Sequence, residues 1–140
     1  VIVFDNYQEH LSVALIIGIA LDYFLLDFAL VELILFYPAL LLGALYPDID
    51  TPNSFLGHRF NFISEPIFEC IGHRTITHSI FIMTIMFIIA TLLWGINAIL
   101  AGFTLGFLSH ILGDLTNGKV QILYPMSKKK FGKRLYGIEK

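Results

Sequence analysis

"LSVALIIGIALDYFLLDFALVELILFYPALLLGALY", residues 11–46, is 36 residues of almost unbroken apolar sequence with acids only at Asp22, Asp27 and Glu32. A helix crosses the roughly 30 Å hydrocarbon core of a bilayer in about 20 residues, so this block is too long for one crossing and suits two. Asp22 and Asp27 are costly in hydrocarbon but fit a short polar turn. The break therefore belongs at "DYFLLD" (22–27), giving helices near 10–25 and 28–46. A second block, 79–115, has the same length logic. There "WGIN" (94–97) offers an interfacial Trp, a Gly and an Asn as a hairpin between helices near 79–94 and 97–116. The expected fold is an all-α integral membrane protein, a single domain over 1–140 built as a bundle of about four transmembrane helices.

Composition agrees. The chain has 140 residues, of which 56% are hydrophobic and 14% charged, against roughly 25% charged in an average soluble domain, and its mean hydropathy is +0.76. The polar stretches are too short for a second domain. The single Cys70 excludes an intrachain disulfide framework and gives no CxxC for thiolate ligation. The first residues, VIVFDNYQEH, have no basic n-region and do not read as a cleavable signal peptide; the absence of an initial Met suggests a trimmed or processed chain.

All nine Lys and Arg residues fall in the central loop (Arg59, Arg74) or after the second block (Lys119, Lys128, Lys129, Lys130, Lys133, Arg134, Lys140). Four spans put these segments on one side with the N-terminus, and the positive-inside rule makes that side cytoplasmic. The expected location is the cytoplasmic (inner) membrane of a bacterium or archaeon. The run "SKKKFGKR" (127–134) reads as a topology signal in contact with anionic lipid.

On this topology the histidines and several acids converge. His10 begins the first helix, Asp48 and Asp50 follow the second, His73 and His78 precede the third, and His110 and Asp114 sit in the last turns of the fourth. Polar groups at a hydrocarbon boundary are expensive, so their gathering at one face points to a polar site there. His110 and Asp114 in "SHILGD" are spaced i, i+4 and stack on one helical face. In "YPDIDTP" an extended backbone would aim Asp48 and Asp50 the same way. Imidazole with carboxylate suits zinc, or else manganese or iron, and up to seven ligands allow more than one divalent metal ion. Each fragment also has a plainer reading: a helix cap for the histidines, an intrahelical hydrogen bond for His110 and Asp114, a Pro-bounded turn for "PDIDTP". Convergence favours the site. His58 has no acidic neighbour at ligand spacing, and Glu32 lies toward the outer half of its helix, where it is expected to face the bundle.

"EHLSVA" (9–14), "LYPDIDTPNSFLGHRF" (45–60), "GHRTITHS" (72–79) and "GFLSHILGDLTNGKVQILYP" (106–125) together resemble the YdjM-type membrane-bound metal-dependent hydrolases, in the family's order and over most of the chain. The resemblance implies His10, Asp48, Asp50, His73, His78, His110 and Asp114 as metal or catalytic residues, with Arg74 and Ser79 close by. It implies a hydrolase in which metal-activated water attacks a phosphoester, of a lipid or another membrane-proximal substrate, while Asp50 or Asp114 takes the proton. Arg74 is then expected to hold a phosphate through its planar fork, with His73 on the loop, His78 at the helix start and Thr75 and Thr77 capping the helix. The expected partners are membrane lipid and a phosphoester substrate; nothing points to nucleic acid, and the oligomeric state is left open.

Two other classes compete. A covalent-histidine lipid phosphate phosphatase also uses GH and HxxxD elements, but this chain lacks the KxxxxxxRP element. A metal transporter or sensor would be expected to carry its ligands near the bilayer midplane, where transport sites usually lie; a purely structural membrane protein needs no convergent ligands.

Overall fold

The computed structural model describes residues 7–132. Residues 1–6 and three of the basic residues, Lys133, Arg134 and Lys140, lie outside the described residues. Within them the chain is helical, and the one β element is an isolated bridge between Val120 and Phe131.

Helix α1 (Tyr7–Leu21) runs into a π-helical turn over Asp22–Leu26, which ends at Asp27 in the left-handed region, φ 45°. The expected break at "DYFLLD" therefore falls at its end: Asp22 stays within the helical rod and accepts a long hydrogen bond, 3.4 Å, from Tyr37. Helix α2 (Leu30–Leu45) starts with Glu32 Oε2 accepting the backbone N–H of Ala29 at 2.9 Å. Glu32 thus serves its own helix terminus and does not turn into the bundle. A 3₁₀ turn over Tyr46–Asp50 continues α2.

The central loop is itself mostly helical. Short α3 (Phe55–Arg59) is capped by Ser54, and α4 (Asn61–Cys70) follows. Helix α5 (Ile80–Trp94) is capped by Ser79, whose Oγ accepts from Ile82 N at 3.3 Å. Helix α6 (Ala98–Asn117) is capped by Asn97, whose Oδ1 accepts from Leu100 N at 3.0 Å.

Among the described residues three helical segments are long and apolar enough to cross a membrane: Tyr7–Leu26, Leu30–Asp50 and Ala98–Thr116. Helix α5 is as apolar but has 15 residues, about 22 Å at 1.5 Å per residue. The surface suits lipid as solvent: Ile16, Leu30, Leu92 and Ile99 are more than half exposed, while the buried residues include six titratable or cationic-site groups that a soluble protein would seldom hide.

The tightest packing is between α2 and α6, and glycine permits it. A Cβ on Gly43 would strike the backbone of Phe103, and one on Gly102 or Gly106 the backbone of Phe36, Leu40 and Ala44. Gly102 and Gly106 form a GxxxG pair, "GFTLG", the small-residue spacing that lets membrane helices meet backbone to backbone. Ala14, Phe36, Leu40, Ala44 and Ala98 make the core between α1, α2 and α6. Helix α5 buries only Met83, which packs with Phe107 and Ile111 of α6.

Candidate metal centre

One turn beyond Gly106, His110 meets the end of α2. Its Nδ1 lies 2.6 Å from the carbonyl oxygen of Ala44. A carbonyl only accepts, so Nδ1 carries a proton, and in the neutral tautomer this fixes, the lone pair lies at Nε2. That atom is fully buried with no hydrogen-bond partner, and it faces Asp48 Oδ1 and Asp114 Oδ2, each 3.5 Å away.

His78 repeats the arrangement from the opposite wall. Thr77 Oγ1 donates to Asp50 Oδ2 and is therefore free to accept from His78 Nδ1, 3.0 Å away. Its Nε2 is again buried and unpartnered, 3.0 Å from Asp114 Oδ2 and 3.9 Å from Asp48 Oδ1. The 3.0 Å approach lacks hydrogen-bond direction, for Asp114 Oδ2 is likewise unpartnered. Two imidazole nitrogens and carboxylate oxygens thus point at one small volume. Burial alone would lower the pKa of His78, but the carboxylates of Asp114 and Asp50 outweigh it and push the value up to about 9.

The remaining residues extend the centre. The His10 ring stacks on His110 with centroids 3.8 Å apart, and its Nε2 is 3.8 Å from Asp114 Oδ1. His73 lies on the loop, 2.6 Å from Asp50 Oδ1 through Nδ1. Among the described residues three triads each bring one ligand atom per residue within 4.8 Å of the others: His10, Asp48 and His110; Asp48, His73 and His78; His78, His110 and Asp114. Shared members make these one contiguous centre.

Asp50 has a different environment from the other acids. Its Oδ1 is approached by His73 Nδ1 and Thr51 Oγ1, and its Oδ2 accepts from Thr77 and from the backbone N–H of Arg74 at 3.2 Å. It belongs to none of the three triads. The 3₁₀ turn explains the division: Asp48 and Asp50 point to different sides, Asp48 inward between His78 and His110 and Asp50 toward the loop, where an extended backbone would have aimed both the same way.

Arg74 sits in the left-handed region, φ 61°, held by its backbone N–H on Asp50 and by its carbonyl accepting from Gln121 N at 3.0 Å. Its Nη2 donates to Asp114 Oδ1 at 2.7 Å. The guanidinium lies against Gly118, where a Cβ would come within 2.9 Å of Cζ. The segment after α6 is thus a strap: Ile80 N bonds to Ile122 O at 3.0 Å, and Ser79 Oγ donates to Tyr124 O. Against the expectation from sequence, Thr75 and Thr77 do not cap α5: Thr75 bonds back to Gly72 O, Thr77 serves Asp50, and Ser79 is the cap. His58 lies exposed on α3, outside the centre, and Lys128, Lys129 and Lys130 are exposed.

Residues 6–140 match the model of the YdjM inner membrane protein family. The chain belongs to this family. It is 45% identical over 96 residues to "Inner membrane protein YdjM" of Escherichia coli (strain K12), and equally to that of Shigella flexneri, covering 63% of this chain and 48% of each relative. It is 38% identical over 84 residues to "Uncharacterized protein YvsG" of Bacillus subtilis (strain 168), covering 59% of this chain and 52% of the relative. The matched part spans about half the length of these relatives. No solved structure matches. Family membership makes the chain an inner membrane protein, as its apolar helices require.

Fit to a metal ion rests on the side chains themselves. Asp48, Asp50 and Asp114 against Arg74 leave a buried excess of two negative charges when the histidines are neutral, and buried charge is tolerated when paired or coordinated. The lone pairs of His78 and His110 facing carboxylate oxygens repel unless a cation or protons lie between them. Asp50 and the Ala44 carbonyl fix the rings from behind, as outer partners of ligating histidines do.

Proposed function

We propose that this protein is a membrane-embedded metal-dependent hydrolase acting on a phosphoester. The observation that carries the reading is the pair of buried, unpartnered Nε2 atoms of His78 and His110 directed at the carboxylates of Asp48 and Asp114. His10, Asp48, His73, His78, His110 and Asp114 would hold one or more divalent ions, zinc before manganese or iron, because nitrogen and carboxylate donors without thiolates suit these metals. When bound there, such an ion would supply Lewis acidity toward water and an ester oxygen.

The protein groups divide the remaining work. Asp50 orients His73 and His78. Of the two carboxylates proposed to take a proton, Asp50 already accepts hydrogen bonds at both oxygens, and Asp114 would serve through Oδ2 only where that oxygen is not engaged by a metal ion. Arg74, with a half-buried fork anchored at one nitrogen, would hold a phosphate oxygen. In the membrane we place α5 as a fourth span beside the three longer ones, with the centre and the basic segments on the cytoplasmic side. Fifteen residues cross a thinned bilayer or one lengthened by the Ser79 and Trp94 interfaces.

The reading is tested with purified protein in mixed micelles, assaying phosphate or headgroup release from phosphatidic acid and from a soluble phosphodiester, with added Zn²⁺ or Mn²⁺ and after chelation. Turnover that chelation silences and metal restores supports the proposal. Turnover that survives chelation would replace it with a covalent-histidine phosphatase.

A further inference from the structure

The buried donor atoms of the centre are spaced for one ion. His78 Nε2, His110 Nε2, Asp48 Oδ1 and Asp114 Oδ2 face one another across nitrogen–oxygen distances of 3.0, 3.9, 3.5 and 3.5 Å. Bonds of about 2.0–2.2 Å arranged tetrahedrally put neighbouring donors roughly 3.3–3.6 Å apart, and the observed distances straddle that edge. An octahedral ion of the magnesium type needs six donors with neighbours roughly 2.9 Å apart, a larger and tighter set than this one. The back of each ring is already committed, His110 Nδ1 to Ala44 O and His78 Nδ1 to Thr77 Oγ1. Each imidazole therefore offers one lone pair and serves one ion. His10 cannot share the ion of His110. A ring nitrogen binds in the plane of its ring, and these two rings lie 20° from parallel with centroids 3.8 Å apart, so an ion in one plane stands well outside the other. His73 has Nδ1 2.6 Å from Asp50 and 2.7 Å from Thr51, and its ring is half-exposed where the four donors are buried.

We infer that Asp48, His78, His110 and Asp114 hold a single tetrahedral ion, zinc in preference to magnesium or manganese, and that this ion fastens the start of α5 to the α2–α6 pair. The donors come from three places: Asp48 from the turn that extends α2, His78 from two residues before α5, and His110 and Asp114 from α6. Helix α5 needs such a fastening. Its buried residue is Met83, packed on Phe107 and Ile111, whereas α2 and α6 meet backbone to backbone at Gly43, Gly102 and Gly106. In lipid an apolar helix gains little from contact with another, because the tails are as apolar as its side chains. Polar bonds must then hold α5 in place. The strap after α6 supplies two at Ile80 and Ser79, and the ion adds its own at His78. His10 and His73 flank the ion without binding it. The inference rests on the metal of the proposed function and not on hydrolysis, which would require one of the four donors to give way to water, since four protein donors close the coordination as in structural zinc sites.

The test loads the full chain with Co²⁺ in place of Zn²⁺ and reads visible absorption beside elemental analysis, because cobalt bands are intense in tetrahedral and weak in six-coordinate surroundings. One ion per chain with intense bands is expected, displaced by Zn²⁺ and not by excess Mg²⁺. His10→Phe, which keeps the stacked ring without its nitrogens, and His73→Gln should retain the ion and the bands. His78→Ala and Asp48→Ala should lose both, and His78→Gln repeats the first of these if alanine prevents folding. For the fastening, nitroxides on Leu93→Cys in α5 and Val31→Cys in α2, both exposed positions, in a Cys70→Ser background, report the distance between the helices in nanodiscs by pulsed electron resonance. The zinc-loaded protein should give a narrow distribution that widens on chelation and narrows again when Zn²⁺ is returned. Weak six-coordinate bands, two ions per chain, or loss of the ion from His10→Phe would overturn the inference while leaving metal binding intact. A distribution indifferent to Zn²⁺ would overturn the fastening. Folded protein that takes up no ion would overturn the metal reading itself and this inference with it.

Discussion

Replacing Gly106 with alanine drives a methyl group into the backbone of α2, one turn from His110. The added Cβ would lie 2.8 Å from Ala44 N and 2.9 Å from the carbonyl carbon of Leu40, with Leu40 O closer still. Carbon contacts are comfortable at about 3.5–4.0 Å, so α2 must retreat by roughly 1 Å. Adding that to the 2.6 Å between His110 Nδ1 and Ala44 O takes the pair beyond hydrogen-bond range, and the outer partner that fixes the imidazole is lost. Overpacking costs about 1–3 kcal/mol and the broken bond about 1 kcal/mol; the better helix propensity of alanine returns about 0.8–1 kcal/mol. The expected net loss is about 1–3 kcal/mol, with zinc affinity lowered about 10- to 100-fold by loss of the outer partner. Thermal unfolding in detergent, with a competitive zinc titration on the same samples, measures both. Gly18→Ala is the internal comparison: its Cβ meets only the side-chain tip of Leu40 and no backbone, so it should cost about 1 kcal/mol, the low end of overpacking, and leave zinc affinity unchanged. If Gly106→Ala unfolds and binds zinc like wild type, the close α2–α6 approach does not position the centre.

Three further outcomes are expected. Asp50→Asn keeps the shape of the side chain but weakens its hold on His73 and His78, so zinc affinity should fall about 10- to 100-fold without vanishing; complete loss of metal would make Asp50 a ligand. In chelated protein, His78 has its pKa raised from 6.5 to about 9, so its imidazolium stabilises the fold fully below pH 6.5, and that contribution is lost as pH rises through 9. The unfolding temperature after chelation should therefore decline over that window, and a flat profile contradicts the assignment. Gly118→Ala crowds the Arg74 guanidinium and should reduce turnover through the Arg74–Asp114 pair while leaving metal content unchanged, which elemental analysis beside the activity assay would show.

The apolar blocks were legible because burial in lipid demands long uninterrupted hydrophobic runs, and helix positions follow within a few residues. The break at "DYFLLD" fell at the last residue of that stretch because the helical hydrogen bonds carry on through Asp22 as a π turn. The central loop concealed α3 and α4, since "SFLGHRF" and "NFISEPIFEC" are short and interrupted by Gly57 and Pro66. Convergence of His10, Asp48, His73, His78, His110 and Asp114 was readable from topology alone, because span number fixes which ends share a face. The division between Asp48 and Asp50 was not, as it depends on a 3₁₀ turn that two residues' spacing does not specify. The outer partners were equally hidden: Ala44 contributes a backbone carbonyl and Thr77 a hydroxyl, neither of which marks itself in sequence. "GFTLG" was available as a GxxxG signal for the α2–α6 contact, and its relation to His110 emerges only when α2 is packed against it.

The central claim is that the buried histidine and aspartate side chains hold a divalent metal ion. Elemental mass spectrometry of the purified protein tests it directly, beside His110→Ala and Asp114→Ala. Near-stoichiometric zinc, manganese or iron in the wild type, lost from both variants, is the result predicted. A folded wild-type protein that carries none and takes none up on titration would contradict it, leaving the buried charge balanced by imidazolium alone.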